Sequence, residues 1–95
     1  MSEVTVVRRD ADYEVAVDGV VAGHSFFELH GHTVVFTHTE VDPAYEGHGL
    51  GGKLARGALD DVRARGEHVI ARCPFIKAFI EKHPDYQDLL TSHQH

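Results

Sequence analysis

The residues from Val41 to Leu54, VDPAYEGHGLGGKL, constrain this chain more than any other stretch. They run from a strand end through a proline turn and a set of glycines, Gly47, Gly49, Gly51 and Gly52, into the opening of an amphipathic helix. Glycines let the backbone approach a ligand closely. The first amides of the following helix point outward with partial positive charge. A phosphate or pyrophosphate is the natural guest. Many strand-to-helix turns carry glycine and bind nothing, but four glycines in six positions exceed what such a turn needs.

The segments on either side define the frame. Glu3 to Arg9 carries Val4, Val6 and Val7 and reads as an edge-like strand that stops at Asp10-Ala11-Asp12. Tyr13, Val15 and Val17 alternate with Glu14, Ala16 and Asp18, the period of a half-buried strand, and Asp18-Gly19 signals a tight antiparallel hairpin. Val20 to Leu29 forms the third strand, with Gly23 as a bulge or close approach, and His30-Gly31-His32 makes the next turn. In a fourth strand, Thr33 to Val41, strict alternation puts Val34, Phe36, His38 and Glu40 on one face and Val35, Thr37, Thr39 and Val41 on the other.

After the glycines, Leu50, Leu54, Ala58 and Val62 recur every four residues and Ala55 and Leu59 widen the stripe, as in a helix lying on a sheet. Gly66 marks its end in a left-handed residue. His68 to Arg72 is a short strand, parallel to the fourth through a right-handed crossover. Cys73-Pro74 opens a last helix with Phe75, Ile76, Phe79 and Ile80 as its buried stripe, His83-Pro84 closes it, and Asp85 to Leu90 adds a helical turn. The last five residues are expected to fray. The expected fold class is α/β (α+β), an antiparallel four-strand meander followed by helix, parallel strand and helix, in one domain over residues 1–95.

Composition narrows the partners. Fifteen acids against nine Lys and Arg give a formal charge of -6, which argues against nucleic acid, because phosphate backbones reward basic faces. A single cysteine excludes an internal disulfide framework, and no stretch resembles a signal peptide or a membrane span, so a cytoplasmic chain without a membrane partner is expected. The nine histidines invite a metal-site reading. The spacing of His24, His30, His32, His93 and His95 does not support one, and no metal is expected.

The stretch HTEVDPAYEGHGLGGKL resembles the acyl-CoA-binding segment of the GNAT superfamily of N-acetyltransferases, Arg or Gln, two residues, Gly, one residue, Gly or Ala, which here falls on Glu46, Gly49 and Gly51. Arg72-Cys73-Pro74-Phe75 and His83-Pro84-Asp85-Tyr86 extend the resemblance toward the small stand-alone YjdJ-type branch. The resemblance implies acetyl-CoA as cosubstrate, without a metal, in a V-shaped opening between the fourth and fifth strands. The pyrophosphate would lie on the backbone of Gly47, His48, Gly49, Leu50, Gly51 and Gly52, and the pantetheine arm would pair near Val41, with Lys53 and Arg56 close to the phosphates. Glu46 departs from the superfamily's Arg or Gln, and a carboxylate there must point to solvent or weaken binding. An amine on a small molecule or protein is the implied acceptor. The trimmed acceptor side is compatible with a monomer or a weak homodimer.

Acetyl transfer to an amine needs a base, a donor for the developing oxyanion and a proton source for the leaving thiolate. Cys73 is a candidate nucleophile at the N-cap of the last helix, where the positive helix end favours a thiolate; its alternative is a small buried residue at a crowded strand end. His38 is a candidate base or a partner for Cys73, against a structural histidine bonded across strands. Glu40 would orient His38 or act as base itself, against a solvated carboxylate. Tyr86 falls where related enzymes present a proton donor to the sulfur, against a core residue with a wet hydroxyl. A third reading, an acyl-CoA-binding module without efficient catalysis, competes with the enzyme.

Overall fold

The computed structural model describes residues 3–45, 47 and 49–90. Glu46, His48 and the five C-terminal residues therefore lie outside the described residues, and with them the expectations for the Glu46 side chain, the His48 backbone and a frayed tail.

Five strands form one sheet in sequential order: β1 Val4–Arg8, β2 Asp12–Val17, β3 Val20–His30, β4 Thr33–Val41 and β5 His68–Ala71. β1 to β4 are antiparallel neighbours, and β5 joins β4 in parallel. The β2–β3 hairpin turns on Asp18 (φ 50°) and Gly19 (φ 84°), the left-handed pair that matches the twist of the flanking strands. Helix α1, Leu50–Ala64, crosses from β4 to β5, and Gly66 leaves it with φ 72°. Helix α2, Pro74–Lys82, and a 3₁₀ segment, Pro84–Leu89, finish the fold; a short 3₁₀ turn at Pro43–Tyr45 was not expected from the sequence.

One face of the sheet carries the core. Tyr13, Val15, Phe27, Val34 and Phe36 meet Leu50, Leu54, Ala55, Ala58, Leu59 and Val62 of α1, and Ile76 and Ile80 of α2 complete it. Fully burying a side chain such as Leu54 or Leu59 contributes roughly 1.5–3 kcal/mol, which is why the four-residue stripe of α1 specifies its orientation so firmly. The stripe of α2 is narrower than expected. Phe79 is half-buried and Phe75 is exposed, its ring lying over Gly51, where a Cβ would stand 2.8 Å from Phe75 Cζ. Gly51 thus permits the approach of α2 to α1.

Two register shifts shape the sheet. In β3, Gly23 faces Val15 and Val21 faces Ala16, leaving Ala22 as an inserted residue. In β4, His38 faces Phe26 and Phe36 faces Phe27, leaving Thr37 unpaired. The second bulge corrects the strict alternation expected for β4. An extra residue flips the faces that follow it, so Thr39 and Val41 turn inward with Phe36, while His38 and Glu40 turn outward with Val35.

The far end of the sheet is tied to α1 by a polar network. Arg8 donates two hydrogen bonds to Glu67, at 2.6 and 3.2 Å, and both side chains are about nine-tenths buried. Tyr13 donates to Asp61 at 2.7 Å, and Arg65 donates to the same carboxylate oxygen at 2.7 Å. Burial pushes the Asp61 carboxyl up, but Tyr13, Arg65 and Arg8 more than offset it, leaving its pKa below the ordinary value of 3.8. A depressed folded value means that Asp61 contributes stability above pH 3.8 which is lost as pH falls through the lower folded value. Urea denaturation between about pH 2 and pH 6 is expected to show a shallower acid decline in Asp61→Asn than in the wild type; parallel declines would refute the assignment.

Candidate functional site

The site is built where β4 and β5 part. Their parallel pairing runs from Thr33 opposite His68 to Phe36 opposite Ala71 and ends there. The amides of Arg72 and Cys73 both donate to the Phe36 carbonyl, at 3.0 and 2.9 Å, which turns the chain away from β4 and into α2. Pro74 at the first helical position needs no amide partner and so makes this a sharp helix start. Past the split β4 continues without β5, still paired with β3 on its other edge from His38 to Val41, toward the glycine loop.

The loop has the backbone form that glycine favours. Gly47 (φ 84°) and Gly49 (φ 72°) are both left-handed, and a Cβ on either would have nothing within 4 Å. Gly49 is the N-cap of α1, and the first helical bond is the Lys53 amide to the Gly49 carbonyl, 3.2 Å. The amides of Leu50, Gly51 and Gly52 precede that ladder, at the positive end of a fifteen-residue helix. Open space in front of a left-handed glycine N-cap suits a bulky anion, so these residues fit the diphosphate of a CoA ester. Lys53 is exposed in the first turn. Arg56 is already used: it donates to the Tyr86 hydroxyl at 3.1 Å and lies over the rings of Tyr86 and Phe79.

The proposed catalytic residues do not converge on one point. Cys73 is the N-cap of α2, with its side chain making no cap bond and only 2% exposed. Its Sγ lies 3.2 Å from Thr39 Oγ1, which in turn lies 2.9 Å from Ser25 Oγ, so a chain of partly buried polar atoms joins β3, β4 and α2 at the foot of the split. Sequence reasoning singled out neither Ser25 nor Thr39 for this role. Ser25 is a fully buried polar residue, yet only the β3–β4 register reveals what it meets.

His38 does not reach this chain. The Thr37 bulge carries it to the outer face, where it stacks on Phe26 with ring centroids 6.2 Å apart and lies 3.7 Å from a Glu40 oxygen. His38 and Glu40 are thus together, as one expectation had it, and separated from Cys73, against the other. Tyr86 is buried on the α1 side, where its hydroxyl donates to Asp60 at 2.7 Å and accepts from Arg56. Burial, and then the bond to Asp60, raise its pKa. Its hydroxyl proton is directed toward Asp60 of α1.

A crossover helix that opens on left-handed glycines beside a splayed parallel strand pair belongs to a known group. The family described as GCN5-related N-acetyl-transferase matches residues 12–89. The chain belongs to this family. Among solved structures, a GCN5-like protein from Staphylococcus aureus is similar over 100% of this chain and 98% of its own, with 24% identity and a TM-score of 0.70. The ribosomal-protein-S18-alanine N-acetyltransferase from Escherichia coli is similar over 80% of this chain, with 20% identity and a TM-score of 0.64, and this chain spans 52% of its length. At these identities the two structures show a shared GNAT fold. A search of curated proteins returned no match. The matched residues take in β2 to β5, the glycine loop and both helices, so the split and the loop are those of a GCN5-related fold. No helix among the described residues is long and apolar enough to cross a membrane.

Proposed function

We propose that this GCN5-related protein binds acetyl-CoA at the β4–β5 split and transfers the acetyl group directly to a primary amine. The observation that carries the reading is the pair of left-handed glycines, Gly47 and Gly49, opening α1 beside the edge of β4 that β5 leaves after Phe36. Backbone amides at the start of α1 hold the diphosphate, Lys53 adds a positive charge, and the β4 backbone near Val41 lies alongside the pantetheine arm. Acetyl-CoA supplies an activated thioester. The chain's own task is to position it and to take a proton from the attacking amine.

His38 and Glu40 fit that proton transfer. Both side chains are more than half exposed, on the face where an acceptor has access, and the carboxylate stabilises the imidazolium that forms. Cys73, covered and bonded to Thr39, is assigned to holding the foot of the split.

Calorimetric titration with acetyl-CoA tests the reading. Micromolar affinity, roughly -8 kcal/mol, is expected for the wild type. Gly49→Glu is expected to lose it, because the side chain fills the cradle and strains a left-handed residue by about 1–2 kcal/mol. Lys53→Glu, on an exposed position, is expected to weaken binding while melting normally. Absence of both heat and thermal stabilisation at millimolar ligand would refute the proposal.

A further inference from the structure

β1 is the end strand of the sheet and is bonded on one side only, to β2. The Asp18 amide donates to the Glu3 carbonyl and the Arg9 amide to the Asp12 carbonyl, each at 2.8 Å, so the odd-numbered residues of this stretch aim their backbone groups at β2. The amides and carbonyls of Val4, Val6 and Arg8 therefore point away from the sheet. Among the described residues none of them has a backbone partner. The opposite rim differs, because Leu90 bridges to Val69 beside β5.

The open rim lacks the devices that normally blunt an edge strand. Val4–Arg8 contains no proline and pairs with β2 without a register shift, and its one charged residue, Arg8, is turned inward onto Glu67. Val7 is 54% exposed. A cavity of about 460 Å³, lined in part by Val4, Val6 and Gly57, leaves the rim unfilled by α1.

We infer that the β1 edge pairs with the β1 edge of a second copy of this chain, antiparallel about a twofold axis at Val6, to make a ten-strand sheet. Opposed residues must share a face, which excludes registers shifted by one. In the register centred on Val6, that residue meets its own copy and Val4 meets the partner's Arg8, so the outward amides and carbonyls join as hydrogen-bonded pairs. On the outer face, Thr5 meets the partner's Val7 and Glu3 meets the partner's Arg9. Glu3 and Arg9 are both exposed and of opposite charge, and the twofold axis repeats the pair. Arg9 approaches Glu14 of its own chain at 3.4 Å, which holds its guanidinium on this face. Centring on Thr5 would set Glu3 opposite Val7, and centring on Val7 would set Arg9 opposite Thr5, matching neither charge. The contact is one strand wide, far smaller than an obligate interface, so the dimer is reversible. Leu90 at the β5 rims closes the assembly at two copies. β4 stands three places from β1, so both β4–β5 splits stay open.

Small-angle scattering on the whole chain is expected to show the mass rising from one copy to two as protein approaches millimolar concentration. Over the same range amide exchange at Val4, Val6 and Arg8 is expected to slow, while Thr5 and Val7, already bonded to β2, keep their rates. Glu3→Arg and Arg9→Glu each set like charges opposite one another twice, and each is expected to weaken the dimer about tenfold. An equimolar mixture of the two variants is expected to regain it, since every heterodimer then carries two opposite-charge pairs. The exchange measurement uses the wild type and decides the question even where a variant melts early. A single copy at millimolar protein, a doubled mass without slower exchange at Val4, Val6 and Arg8, or a mixture of folded variants no tighter than either alone would overturn the inference.

Discussion

Glu67→Ala is expected to lower the unfolding free energy by about 3–5 kcal/mol, because it strands a buried guanidinium. Arg8 donates to both Glu67 oxygens and has an 11% exposed side chain; it is packed over Phe27 with its guanidinium carbon 5.1 Å from the ring centroid. After the substitution it keeps a 3.3 Å bond to the Tyr13 hydroxyl and a distant Asp61, too little to offset its desolvation. Small domains have about 5–15 kcal/mol of stability in all, so a large part of the total is at stake. Urea denaturation with a common slope measures it. Arg8→Met/Glu67→Leu is expected to recover most of the loss, since replacing a buried ion pair with apolar groups of similar volume is often neutral. A loss under 1 kcal/mol in Glu67→Ala would show that water reaches Arg8 freely.

His38→Ala is expected to cut acetyl transfer on the order of 10²–10⁴-fold, the usual contribution of a positioned base, with acetyl-CoA affinity unchanged. Glu40→Gln is expected to have a smaller effect, because it removes the charge that steadies the imidazolium and leaves the imidazole itself. Cys73→Ala is expected to keep most of the turnover while losing stability, as its thiol is buried against Thr39. Thiol-release kinetics on the three variants, with the intact mass of the protein after exposure to acetyl-CoA alone, separate direct attack from a relay. Loss of turnover in Cys73→Ala together with an acetyl adduct on the wild type would replace the direct route with an acyl-cysteine one.

The elements of this fold were legible in the sequence because their signals are local. Alternation in Tyr13–Val17, the Asp18-Gly19 turn, the four-residue stripe from Leu50 to Val62 and Gly66 at its end each report dihedral preferences or the burial of one face. The glycine loop was legible for the same reason: its left-handed residues are glycines because other side chains resist that conformation. The side-chain constellation was not. Inserting Thr37 into β4 reverses the faces after it, and that depends on how β3 pairs, so alternation alone placed His38 with Phe36 when it belongs with Phe26.

The long-range partners were hidden in the same way. Arg8 and Glu67 are 59 residues apart, and Tyr86 meets Arg56 and Asp60 only because the last 3₁₀ segment folds back on α1. By itself the sequence determined the order of strands and helices, the oriented stripe of α1 and the backbone cradle, since each follows from preferences within a few residues. Only the tertiary structure decided which side chains share a face, because strand register and helix docking minimise the energy of the whole sheet and core, and a single inserted residue is enough to exchange inside for outside.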